Sequence, residues 1–119
     1  MKTVEEWEDE ITHAARRFPY VRNIVTVDSH PAAIKMRVML SPEVFVQIYV
    51  NVATDTRNMA LIVRNQRCYA RDCQFCRNWH RHSFDQPDVH DTSPAGSRPI
   101  DVEEFLEEVQ EIVEREELL

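Results

Sequence analysis

Residues 34–52 read Ile34-Lys35-Met36-Arg37-Val38-Met39-Leu40, then Ser41-Pro42-Glu43, then Val44-Phe45-Val46-Gln47-Ile48-Tyr49-Val50-Asn51-Val52. On both sides of the Ser-Pro break an aliphatic residue returns at every second position. Ile34, Met36, Val38 and Leu40 precede the break, and Val44, Val46, Ile48, Val50 and Val52 follow it. Successive side chains of a strand point to opposite faces, so this period gives each of two strands one buried apolar face. The break is far too short for a helical crossover, and the two strands are therefore antiparallel neighbours.

Working outward, Val21 to Val27 and Met59 to Arg64 are weaker members of the same set. They are set off by Asp28-Ser29-His30-Pro31 and by Thr54-Asp55-Thr56-Arg57-Asn58, both rich in turn formers. An antiparallel meander of about four to five strands is expected. Further out the period changes to 3.6. Val4, Trp7, Ile11, Ala14, Ala15 and Phe18 form one helical stripe, with Thr3 and Glu6 as a capping box and Pro19 as the stop. This predicts a helix near 3–17. At the other end Asp101 and Glu104 form a second capping box, Ile100 and Phe105 stand where a hydrophobic staple belongs, and Val102, Phe105, Leu106, Val109, Ile112 and Val113 make the stripe. Two amphipathic helices and a sheet with one apolar face predict an α+β two-layer sandwich, a single domain over 1–119.

Composition narrows the chemistry. Apolar residues are 43% and charged residues 29%, enough for one core. Gly96 is the single glycine, which excludes a glycine-rich phosphate loop. There is no basic N-terminal flank leading an apolar segment and no apolar run of spanning length, so the expectation is a cytoplasmic protein with no membrane partner. The net charge of −7 is unevenly spread. Nine acids face Arg115 alone from Asp101 to Leu119, whereas six arginines face Asp72 alone from Arg57 to His82. A basic middle fits an anionic ligand, and an acidic tail fits a basic partner.

From Cys68 to Pro99 the periodicity fades into Cys, His, Arg, Asp and Pro, and a polar loop of about thirty residues is expected, a length that compact domains keep for function. Its densest part is Arg71-Asp72-Cys73-Gln74-Phe75-Cys76-Arg77-Asn78-Trp79-His80-Arg81-His82-Ser83-Phe84-Asp85, with His90 shortly after. Four readings stay open. Cys73 and Cys76 have the spacing of two thiolates on one ion, and with His80 and His90, or His82, they would make a structural zinc site in a non-enzymatic binding module. Alternatively, His80 and His82 fall on one side of an extended segment and supply a general base and acid for metal-independent RNA cleavage. In that reading Arg71, Arg77 and Arg81 contact the phosphates, and Trp79 and Phe84 stack on bases. A Cys–His nucleophile is the third reading. The fourth is plain packing of the loop onto the sheet.

The order of elements, with Asp72 preceding a His80-Arg81-His82 motif and Phe105-Leu106 opening an amphipathic terminal helix, resembles the TumE-like toxins of bacterial and archaeal toxin–antitoxin pairs. Cys73 stands where that family usually carries asparagine, so the chain resembles a divergent member. The resemblance implies a toxin-like protein acting on RNA, with Asp72 orienting the histidines and a cognate antitoxin as partner. A homodimer, joined through the acidic helix and the arginine-rich segment, is the other assembly expected.

Overall fold

The computed structural model describes residues 1–119. Its elements are α1 (Val4–Ala15), β1 (Asn23–His30), β2 (Ala33–Met39), β3 (Val44–Asn51), β4 (Thr56–Val63), β5 (Gln66–Gln74), β6 (Arg77–Ser83), β7 (Gln86–Asp91) and α2 (Val102–Arg115). All seven strands form one antiparallel sheet in the order of the chain.

Both capping boxes are formed. The Thr3 hydroxyl accepts from the Glu6 amide while the Glu6 carboxylate accepts from the Thr3 amide, and Asp101 and Glu104 do the same for α2. Each satisfies two donors that the first turn of a helix leaves orphaned. The stripes of α1 and α2 lie on one face of the sheet, against Ile34, Met36 and Val38 of β2, Val44, Val46, Ile48 and Val50 of β3, and Met59 and Leu61 of β4. Phe105 is fully buried and stacks on Tyr69 with ring centres 5.8 Å apart. The architecture is α+β in two layers, with the period-two strands and the two helices where the pattern put them.

The segment expected to be a long loop is instead β5, β6 and β7, and only residues 92–101 connect them to α2 without strand or helix. The sheet therefore has seven strands, more than the four to five expected. Two physical facts hid the extra three. Their covered face carries Arg71 among Tyr69, Cys73 and Trp79, which breaks the apolar alternation. Their turns also lack glycine, because Arg64-Asn65 and Phe75-Cys76 adopt positive φ (49°, 66°, 55° and 43°) in two-residue hairpins.

The other face of the sheet has no helix over it. Its registers align Lys35, Tyr49, Asn58, Asp72 and His80 in one row across β2 to β6. Arg37, Gln47, Ala60, Ala70 and His82 form the next row. This open face holds the imidazoles.

Candidate functional site on the open sheet face

Strand parity sorts the chemistry-bearing residues onto two faces. On β5, Tyr69, Arg71 and Cys73 point toward the helices, and Ala70 and Asp72 point away; on β6, Trp79 and Arg81 point toward them, and His80 and His82 away. His90 on β7 joins the second group. The rings of His80, His82 and His90 meet with centres 5.0, 4.6 and 4.8 Å apart.

Backbone carbonyls fix two of these rings. His82 Nδ1 lies 2.9 Å from the Pro87 carbonyl and His80 Nδ1 lies 3.4 Å from that of Asn78. A carbonyl only accepts, so these two contacts favour the Nδ1–H tautomer, which leaves Nε2 as the free ring nitrogen. Both Nε2 atoms face one oxygen of Asp72, at 3.6 Å from His80 and 3.7 Å from His82. His82 is 3% exposed, His80 half-buried and His90 exposed, so the cluster opens to solvent on one side. Burial pushes the His82 imidazole below its usual range, with the Arg67 charge acting the same way, and this favours the neutral ring. Burial pushes the Asp72 carboxyl up, against the pull of His80 and Arg67.

Arg67 is the cation that the sequence did not single out. A bulge pairs Leu61 with Tyr69 and Ile62 with Arg67, leaving Cys68 as the extra residue. Unbroken alternation would put Arg67 on the face of Tyr69 and Arg71. The bulge reverses its parity and brings its guanidinium 3.4 Å from His82 Nδ1 and 3.4 Å from the Pro87 carbonyl. No composition signal marks such a bulge.

The structure brings together Asp72, His80, His82 and His90, and it places the other expected site residues elsewhere. Arg71, expected on an anion, is 2% exposed and pairs with both oxygens of Glu108 (3.0 and 2.7 Å) while donating to the Ala95 carbonyl at 2.7 Å. Arg81 donates twice to Asp91, at 2.8 and 2.6 Å. Hydrogen bonds from Ser93 and Arg81 hold that carboxyl down, at about 2. These two arginines tie strands and the 92–101 connection to α2 in place of meeting a ligand. Arg77 is exposed at the β5–β6 turn. Trp79 lies in the core under the helices, and Phe84 packs half-buried against that core, so neither offers a free ring face for a base.

Cys73 and Cys76 face each other with sulfurs 3.1 Å apart, but on the covered side of the sheet and at the β5–β6 turn. The mixed Cys73, Cys76, His80, His90 zinc set is therefore not assembled, because odd and even positions of β5 and β6 face opposite ways. Burial pushes both thiols up, which keeps them protonated and weakly nucleophilic. Gly96 has a steric reason: a Cβ there would stand 2.3 Å from the Asp91 carbonyl oxygen.

Comparison of the chain with protein-family models, curated proteins and solved structures finds no match. The class of protein defined by fold and site is thus an α+β meander with helices on one sheet face and a histidine–carboxylate centre on the other.

Proposed function

We propose that this chain is a toxin-like protein of a toxin–antitoxin pair that acts on RNA, with the open sheet face as its reacting surface. The observation that carries the reading is the pair of Nε2 atoms, on His80 and His82, facing the same Asp72 oxygen, with Arg67 beside His82. Cleavage of RNA by its own 2′-hydroxyl needs a base for that proton, an acid for the leaving oxygen and a cation for the phosphorane charge. His82, kept neutral by burial, is the base. His80, more exposed, cycles as the acid, Arg67 meets the phosphate, and Asp72 orients and stabilises whichever ring carries its proton on Nε2. The resemblance to TumE-like toxins supports the toxin role and the antitoxin partner.

The test is controlled expression with and without the antitoxin, together with an RNA cleavage assay on purified protein. The unmodified chain arrests growth and cleaves RNA. His80→Ala combined with His82→Asn, whose side-chain amide still donates to the Pro87 carbonyl, loses about 10²–10⁴-fold in cleavage rate and the toxicity with it. A folded, unmodified chain that is harmless and leaves RNA intact overturns the proposal.

A further inference from the structure

Ring nitrogens and a carboxylate converge at the centre of the histidine cluster. With Nδ1 of His80 and of His82 set against backbone carbonyls, the Nδ1–H tautomer turns both Nε2 lone pairs toward the Asp72 carboxylate. Lone pairs aimed at one another repel, and a cation among them turns that repulsion into coordination. His90 adds a third nitrogen from the neighbouring strand, and one ring nitrogen from each of the three histidines lies within 4.8 Å of the others. In a tetrahedral ion site with metal–nitrogen bonds of about 2.0–2.1 Å, the nitrogens stand about 3.4 Å apart. Small side-chain rotations close that gap, chiefly of exposed His90, while the hydrogen-bonded strands hold the backbone.

We propose that His80, His82 and His90 form a three-histidine site for a divalent transition-metal ion of the zinc type. Imidazole nitrogens select zinc, cobalt, nickel or copper over magnesium and calcium, which demand oxygen. The outer shell is already built, since ligating histidines characteristically give their other N–H to a carbonyl or carboxylate. Arg67 lies on the Nδ1 side of His82 and does not block the ion's place; its charge, which disfavours the imidazolium, also keeps the ring neutral and its lone pair free. Asp72 faces the Nε2 atoms of His80 and His82 beside the ion's place, and the solvent-open side leaves the fourth corner to a water or a substrate oxygen.

The consequence for the reaction rests on the RNA-acting reading. A lone pair bound to metal takes no proton, so the loaded protein is the silent form and the ion regulates the same centre. Binding is measured without RNA. The full-length chain, stripped with chelator, is titrated with Zn²⁺ by calorimetry and with Co²⁺ by visible absorption. One ion per chain is expected, with the intense visible bands of tetrahedral cobalt. His90→Ala, at an exposed position that does not threaten folding, weakens affinity by about 100-fold or more, since even an outer-shell loss costs 10–100-fold. Cys73→Ser with Cys76→Ser leaves affinity unchanged. No bound ion, affinity unmoved by His90→Ala, or affinity lost in the cysteine variant overturns the site. If the ion binds as described but RNA survives in both loaded and stripped protein, the RNA reading fails and the metal site stands.

Discussion

Arg71 and Tyr69 converge on Glu108 from two positions of one strand. The Tyr69 hydroxyl donates to Glu108 Oε1 at 2.6 Å, and the same oxygen receives Nε of Arg71 at 3.0 Å. A buried guanidinium stripped of its carboxylate typically costs 3–5 kcal/mol, so Glu108 is a structural residue of α2 and not part of a free acidic face. Burial, and then the Glu108 charge, pushes the Tyr69 phenol up to about 12. An unfolded tyrosine titrates near 10. Between those values the folded chain holds a proton that the unfolded chain has released. The Tyr69 contribution is therefore complete below pH 10 and is lost as pH rises toward 12. Urea unfolding at pH 9, 10, 11 and 11.5 is expected to show stability falling through this window, by on the order of 2 kcal/mol from this group. Tyr69→Phe flattens that part of the profile. An equal slope in the variant would assign the alkaline loss to other groups.

At the scale of elements, the β5–β6 hairpin is folded against local preference. Its two turn residues, Phe75 and Cys76, have positive φ, which costs a residue with a Cβ about 1–2 kcal/mol. Phe75 is 61% exposed and anchors nothing, so the side chain gives little back. The turn is held from outside, because the Cys76 amide donates to the Asp55 carbonyl at 2.7 Å in the neighbouring β3–β4 turn. Phe75→Asn, a residue at ease with positive φ, is expected to stabilise the chain by about 1 kcal/mol in chemical denaturation. A neutral or destabilising result would mean that Phe75 packs on something in the folded state. The same hairpin marks the limit of local sequence pattern. β2 and β3 were legible because hydrophobic burial on one face writes period two into the chain, and both helix starts were legible because capping is a local code. β5 to β7 were not, since buried Arg71 and His82 are satisfied by Glu108, Ala95 and Pro87, partners remote in sequence or across a turn. The histidines were visible as a cluster, and His90 as a neighbour. Separation from the cysteines needed the strand parity, and Arg67 needed the bulge.

Across the whole molecule, the unpaired acids of α2 lie on the helix layer. On α2, Glu103 is paired with Arg17, Glu104 with Arg98 and Glu108 with Arg71, leaving Glu107, Glu111 and Glu114 exposed and outside any ion pair. They lie on the helix layer, opposite the face that carries Arg67 and the imidazoles. If RNA takes the open face, a basic antitoxin has the helix face to itself, and the two need not compete for the same surface. Glu107→Lys with Glu111→Lys is expected to weaken antitoxin binding, more at low than at moderate salt, while the unfolding free energy stays within about 0.5 kcal/mol. Affinity that ignores both the substitutions and the salt would make this ridge a solvated surface, and a change in self-association by sedimentation would point to a second copy as the occupant. Strand order equal to chain order also has a consequence in time. Every hairpin closes over two to four residues, so the sheet can zip from any turn at small loop-closure cost. The bonds from Arg17 to Glu103 and from Tyr20 to Leu106 span 86 positions and must wait for both ends of the chain. The topology predicts that docking of α2 comes last, with Arg71 in water until Glu108 arrives.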